Sequence, residues 1–163
     1  MITKYVVTLV AMTAAAIAAE LQFVPLQDYI GQPGVEKDPA ALGYIAQRCS
    51  ALYGVWAKNL EDETDPERQK LMVEWRDAFE KFMALAARQM MVGTTIEMKD
   101  AFARTSNLII KLSDFYADRI ETARLRAGNM FADPLIAGDF GTLKPIAGTP
   151  TKAARAEEPA VNV

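Results

Sequence analysis

The chain contains no histidine and a single cysteine, Cys49, in 163 residues. Without histidine it cannot form a Ser-His-Asp or Cys-His catalytic arrangement, a histidine-ligated zinc or copper site, or a haem site with a histidine ligand. A single cysteine cannot form an intramolecular disulfide bond or a cysteine-based metal cluster. We therefore expect no catalytic residues, no cofactor and no metal site, because acid–base chemistry would rest on Asp, Glu, Lys or Tyr alone.

The chain also lacks a dense cluster of positive charge. It has 18 Lys and Arg residues against 21 Asp and Glu residues, which gives a formal net charge of −3. Proteins that bind nucleic acids or anionic lipid surfaces concentrate Lys and Arg in one patch or stripe. The composition therefore predicts no nucleic-acid partner and no polybasic attachment to a membrane.

The N-terminal segment has the order of a secretory signal peptide. Lys4 supplies a positive charge, residues 5–15 are apolar apart from two threonines, and Ala16-Ile17-Ala18 places small residues where a signal peptidase reads them. The apolar stretch ends at residue 19 and is shorter than the about 20 residues of a spanning helix. We predict that residues 1–18 are a cleaved signal peptide and that the protein is exported, periplasmic or extracellular. The alternative is that this segment is kept as a membrane anchor.

Three amphipathic segments with apolar residues three and four apart follow an irregular stretch. Asp38-Pro39 is predicted to start the first helix, and Asp65-Pro66, or a capping box from Thr64 to Glu67, the second. A second capping box, from Thr94 to Glu97, is predicted to start the third helix. The predicted buried face of this helix consists of Phe102, Thr105, Ile109, Leu112, Tyr116, Ile120 and Ala123.

Glycines and prolines predict where these helices end. Gly93 and Gly128 are expected to follow the second and third helices. Asp133-Pro134 is expected to begin a short helical turn that Gly138 closes. Together these signals predict an all-α fold, an antiparallel three- to four-helix bundle over residues 38–143.

The regions outside the bundle are predicted from their composition. Residues 19–37 contain two prolines and two glycines without lasting periodicity, and they also carry several apolar residues. We expect an irregular N-terminal arm that packs across the bundle. Residues 144–163 are rich in Pro, Gly, Ala and Thr, so a flexible, disordered C-terminal tail is expected there.

Three side chains are candidates for contacts with a ligand or a partner. Trp56 and Trp75 lie in the apolar stripes of the first two helices, where aromatic residues either fill the core or line a pocket for an apolar ligand. Arg48 lies beside Cys49, and we expect it to pair with a carboxylate across the bundle. The candidate carboxylates are Asp114, Asp118 and Asp139.

Three other patterns are interpreted as structural. The acidic run over residues 61–67 does not alternate as calcium-loop ligands do, so it is interpreted as a solvated connection between helices. Five methionines between residues 72 and 98 are interpreted as packing residues rather than a copper(I) site. The letters Asp139-Phe140-Gly141 match the kinase D-F-G motif, but the other kinase motifs do not accompany them.

These observations predict an exported small helical module that binds or interacts with a partner and has no catalytic activity. We expect an unidentified protein partner. One alternative is a bundle that binds a small apolar ligand. Another is an accessory subunit of a membrane complex, which requires that the N-terminal segment be retained.

Overall fold

The structure is a computed structural model, and it describes residues 23–143. Every regular element in this range is helical, which confirms the predicted all-α class. The α-helices are α1 Leu26–Ile30, α2 Pro39–Asn59, α3 Pro66–Met91, α4 Met98–Ala127 and α5 Pro134–Leu143. Two 3₁₀ turns lie at Val35–Lys37 and at Met130–Ala132, and we call the second one the linking turn. The predicted signal peptide and the predicted tail lie outside the described residues.

Local sequence signals set the starts of α2 and α3. Asp38 Oδ1 accepts a hydrogen bond from the N–H of Ala40 at 2.9 Å, and a proline follows at the first helical position. Asp65 Oδ1 accepts from the N–H of Glu67 at 3.0 Å, so Asp65 caps α3 and the alternative capping box from Thr64 is wrong. Both Asp-Pro starts are confirmed, because a short carboxylate satisfies the unpaired N–H groups of a helix start.

The capping box predicted for the third helix is wrong. α4 begins at Met98, and its N-cap residue Glu97 makes no side-chain capping bond. Thr94 Oγ1 lies 3.2 Å from the carbonyl oxygen of Met90 and 3.1 Å from that of Met91. The hydroxyl therefore donates back to the end of α3, whose last carbonyls lack partners within the helix.

Glycines at three predicted helix ends have two different roles. Gly93 and Gly128 adopt left-handed conformations with φ of 70° and 68°, and they follow α3 and α4 as predicted. Gly138 does not close a turn, because α5 continues through it to Leu143. A β-carbon at position 138 would lie 2.7 Å from Cβ of Pro25, so this glycine gives room for the arm.

The arm is more regular than predicted. It forms α1 and a 3₁₀ turn, and Leu26 is fully buried while Val35 is 8% exposed. The predicted packing of the arm against the helices is confirmed. The prediction of an irregular arm is wrong over α1 and the 3₁₀ turn, whereas residues 23–25 and 31–34 lie outside regular elements. The contact that orders Leu26 comes from residue 139, and no local pattern announces it.

Helix α2 lies at the centre of the molecule. Every residue from 46 to 53 is buried, although the sequence predicts a single apolar stripe. The start of α2 faces the end of α3, since a β-carbon on Gly43 would lie 3.3 Å from Cβ of Gln89. The end of α2 faces the first half of α3 through Trp56 and Trp75. α2 and α3 are therefore antiparallel.

Small residues let α2 and α3 approach closely. Ser50 Oγ donates to the carbonyl oxygen of Phe79 at 2.9 Å. A β-carbon on Gly54 would lie 3.0 Å from the Phe79 ring. Because the side chains of α2 are short here, the α3 backbone comes within reach of a serine hydroxyl.

Helix α4 packs against both α2 and α3 through the face that the sequence predicts. Its buried residues recur at helical spacing. They are Ala101, Thr105, Ile109, Leu112, Tyr116, Ile120 and Ala123. None of the helices in residues 23–143 is long and apolar enough to cross a membrane.

Candidate functional site

Three polar side chains meet in the interior, and we call them the buried polar cluster: Arg48 of α2, Tyr116 of α4 and Asp139 of α5. Each is 0% exposed. Arg48 Nη2 donates to Asp139 Oδ2 at 2.5 Å, and Arg48 Nε donates to the Tyr116 hydroxyl at 2.9 Å. The Tyr116 hydroxyl donates in turn to Asp139 Oδ2. A closed triangle of hydrogen bonds thus connects three helices.

The buried polar cluster also holds the N-terminal arm. Arg48 Nη1 donates to the carbonyl oxygen of Val24 at 2.8 Å. The N–H of Leu26 donates to Asp139 Oδ1 at 2.6 Å. Leu26 is the first residue of α1, so its N–H has no partner within that helix. The two charged side chains therefore position the backbone of the arm on both sides of Pro25.

Aromatic rings surround the guanidinium of Arg48. Its Cζ lies 5.6 Å from the ring centroids of both Phe23 and Tyr44. Phe23 stacks on Phe115 of α4 with a centroid distance of 4.2 Å. Desolvated cation–π contacts of this kind favour the charged form of arginine. They add to the attachment of the arm, because Phe23 belongs to it.

The protonation states in the cluster follow from its electrostatics. Burial raises the pKa of Tyr116 well above its usual range, and the negative charge of Asp139 raises it further. Burial disfavours the charge of Arg48, but interactions with Tyr116 and Asp139 outweigh it and raise the pKa of Arg48. Tyr116 is therefore a neutral phenol and Arg48 a cation. The Tyr116 hydroxyl accepts a hydrogen bond from Arg48 and donates one to Asp139, so both its acceptor and its donor function are used.

The sequence predicts a carboxylate partner for Arg48, and Asp139 is that partner. Asp114 and Asp118, the other two candidates, are exposed on α4, so pairing with them is wrong. Arg48 was also a candidate for direct contact with a ligand or partner. It lies inside the molecule and binds groups of its own chain, a placement that does not favour such a contact.

The second candidate site is an aromatic group that we call the Trp56 cluster: Trp56, Trp75, Phe131 and Phe140. Trp56 contacts Trp75 edge-to-face at 5.5 Å and stacks on Phe131 at 5.8 Å with an interplanar angle of 19°. Phe140 lies 5.0 Å from Trp56. α2, α3, the linking turn and α5 each contribute one ring. Both tryptophans are 7% exposed, whereas the two phenylalanines are half-buried.

Two buried N–H donors beside the linking turn have no hydrogen-bond acceptor in the described part of the chain. They are Nε1 of Trp56 and Nε of Arg119. Trp56 contacts Phe131 of the linking turn, and Arg119 Nη2 lies 2.7 Å from Asp133 Oδ2 just after that turn. Native structures leave few such donors unpaired, so each one calls for an explanation.

The sequence signals for both sites are clear in hindsight. Tyr116 lies on the predicted buried face of α4, and a buried tyrosine hydroxyl usually has a partner. Three consecutive residues of α5 serve the two sites. Gly138 makes room for Pro25, Asp139 binds Arg48, and Phe140 packs on Trp56. The segment that resembles a kinase motif in letters is thus the one that attaches α5 to the core.

The acidic run lies at the surface, whereas Cys49 is buried. Among residues 23–143, no three His, Cys, Asp or Glu side chains come together as a metal site. In the acidic run, Glu63 pairs with Arg68 of α3 at 2.6 Å in an exposed position. Cys49 is 1% exposed, and burial raises its pKa to about 12.

Comparisons of this chain with protein-family models, with curated proteins and with solved structures found no match. Over residues 23–143, the fold and the two clusters define a helical protein in which a buried ion pair connects α2 to α5 and binds the backbone of the arm. Its function must be inferred from its own residues.

Proposed function

We propose that the chain is an exported three- to four-helix bundle that binds a protein partner and carries out no catalysis. Residues 92–97 connect α3 to α4, and so short a connection favours antiparallel neighbours in a bundle. The N-terminal order of charge, apolar run and small residues supports export to the periplasm or beyond. The buried ionisable side chains at positions 48, 116 and 139 bind one another, which supports a structural role for them.

One surface feature carries the proposal of a protein partner. We call it the apolar tip: Met91, Val92, Ile96 and Met98, around the turn between α3 and α4. Val92 is 54% exposed and Met98 is 43% exposed, while the other two are half-buried. Apolar patches mark interaction sites, and methionine is enriched in interfaces because its side chain adapts to a partner. We propose that the partner is an envelope protein that packs apolar side chains against this tip.

Site-specific photo-crosslinking tests the partner. A photoreactive residue in place of Val92 should give one adduct of defined mass in the envelope fraction. The control position is Val73, which is 59% exposed on α3 away from the turn. Adducts that are equal at both positions, or none at position 92, would contradict the apolar tip as an interface.

Export is tested separately from the partner. N-terminal sequencing of the protein from the envelope fraction should begin at Ala19. A sequence that begins at Met1 in that fraction would show a retained anchor and would favour the accessory-subunit alternative.

A second candidate function is the binding of a small apolar ligand. The observation that favours it is the indole N–H of Trp56, which is buried among aromatic rings and has no acceptor within residues 23–143. Pockets in helical bundles combine such apolar walls with a few polar groups that orient the ligand.

A further inference from the structure

We propose that the Trp56 cluster binds a small amphiphile that has an apolar chain and one oxygen acceptor. The oxygen accepts a hydrogen bond from Trp56 Nε1, and the apolar chain packs against the surrounding rings. This inference rests on the second candidate function and names its ligand class and its site.

The unpaired donor sets the chemistry of the ligand head. Trp56 is 7% exposed, and its Nε1 can only donate. A buried donor without an acceptor destabilises the folded protein, so a ligand oxygen placed there gains a hydrogen bond that residues 23–143 do not supply. A carboxylate or carbonyl oxygen satisfies this donor, whereas an ammonium group does not.

A second donor lies against the same segment of chain. Arg119 Nε is also buried without an acceptor in residues 23–143, although Arg119 Nη2 pairs with Asp133 at 2.7 Å. Two such donors thus border the four residues from Met130 to Asp133. This part of the surface therefore offers donors, and a ligand that binds there needs an acceptor.

The linking turn is where the ligand enters the Trp56 cluster. Phe131 stacks on Trp56 yet is half-buried, so it forms the outer wall of the cluster. The turn is joined to α4 through Gly128, whose φ is 68°, and through Asn129. In the bound state the apolar chain of the ligand takes the place of the Phe131 ring on Trp56.

Calorimetric titration of the full chain with three ten-carbon probes tests the site. Decanoate and 2-decanone carry an oxygen acceptor, and decylammonium carries only donors. We expect saturable binding of both acceptor probes, and about tenfold weaker binding of decylammonium, since one hydrogen bond is at stake. The decanoate and 2-decanone results also show whether a charged head group is required.

Two variants locate the site. Trp56→Phe keeps an aromatic ring and removes the N–H, so decanoate should bind about tenfold more weakly. The control Tyr29→Phe also removes one donor from an aromatic residue, but its ring contacts Tyr44 and does not belong to the cluster, so it should bind as the parent does. Phe131→Ala opens the outer wall and should strengthen binding by about threefold or more, because the ring no longer has to be displaced.

Each other result overturns part of the proposal. If no probe binds the parent or Phe131→Ala, the ligand function falls with its site, while the protein-partner proposal stands on Val92 crosslinking. If Trp56→Phe binds decanoate as well as the parent does, ligand binding stands and this site is wrong. Equal binding of all three probes would show non-specific apolar binding. Circular dichroism of each variant checks the fold, and Phe131→Ala decides the matter if Trp56→Phe does not fold.

Discussion

Gly138 of α5 packs directly on Pro25 of the arm: a β-carbon at position 138 would lie 2.7 Å from Cβ of Pro25. This contact places the next residue, Asp139, beside the N–H of Leu26. The lack of a side chain at position 138 thus lets the buried carboxylate of Asp139 come within hydrogen-bond distance of the arm.

The substitution Gly138→Ala should therefore destabilise the protein, by about 1–3 kcal/mol, because an inserted methyl group forces α5 and the arm apart. Gly141→Ala is the matched control in the same helix, since nothing lies within 4 Å of a β-carbon there. It should stabilise the protein by up to about 1 kcal/mol through helix propensity. Urea unfolding of the two variants measures both effects, and destabilisation of equal size would show that Pro25 is not the cause.

Asp139→Asn should cost about 3–5 kcal/mol of unfolding free energy. The change leaves Arg48 as a buried cation without a charged partner. It also places an amide NH₂ group, which donates, where the carboxylate accepts hydrogen bonds from its neighbours. Asp118→Asn removes an exposed carboxylate from α4 and should change stability by less than about 0.5 kcal/mol. Chemical denaturation compares the pair. If both variants unfold together with the parent, the buried polar cluster does not hold the arm.

Trp75→Ala should be among the most destabilising substitutions, at about 3–5 kcal/mol, because it removes a large ring that is 7% exposed and lies against Trp56. Val73→Ala, two residues away and 59% exposed, is the control and should be nearly neutral. Thermal melts measure both. A Trp75→Ala melt within about a degree of the parent, with loss of a bound ligand or partner, would show that Trp75 faces a pocket or an interface.

The thiol of Cys49 should react very slowly with a thiol reagent in the folded protein at pH 8. It is 1% exposed, and burial raises its pKa to about 12, so both access and the thiolate form are suppressed. Mass spectrometry during labelling gives the rate, and the urea-unfolded protein serves as the reference. Rapid labelling without denaturant would contradict the burial.

Stability should fall at alkaline pH. Burial raises the pKa of Tyr53 and of Cys49 to about 12, and it raises the pKa of Tyr116 still further. Above about pH 9 for the thiol and about pH 10 for the two tyrosines, the unfolded chain loses protons that the folded chain keeps. Each group then lowers stability by about 1.4 kcal/mol per pH unit until its folded pKa is reached. Circular dichroism between pH 8 and 12 follows the loss.

The control for this pH dependence is Cys49→Ala. It removes one titrating group, so its stability should fall less steeply with pH than that of the parent. Equal slopes would show that Cys49 keeps its ordinary pKa in the folded protein.

The elements that the sequence predicts well are those with local causes. Asp38 and Asp65 each accept a hydrogen bond from an N–H two residues away, and this caps the helix that follows. The buried face of α4 from Thr105 to Ala123 follows from the spacing of its residues alone. The sequence predicts a helix end at Gly138 because the neighbour that requires this glycine, Pro25, is distant in sequence. It does not predict α1, because the first N–H of α1 finds its acceptor 113 residues away.

In the candidate site, too, the sequence predicts what has a local cause and misses what depends on residues distant in sequence. The sequence singles out Arg48 because it lies beside Cys49, and it offers Asp139 as one of three candidate partners. Nothing in the local pattern chooses Asp139 over Asp114, because the choice depends on the path of the chain after α4. Phe131 joins Trp56 for the same reason.

The separation between Leu26 and Asp139 also sets an order of events during synthesis. The arm leaves the ribosome first, yet the carboxylate that holds it follows 113 residues later. At about 5–20 residues per second, that interval is roughly 6 to 23 seconds. During this time the arm has no partner at position 139, so its attachment waits for the synthesis of α5. The hydrogen bond that fixes the start of α1 is thus among the last contacts of residues 23–143 that the growing chain can form.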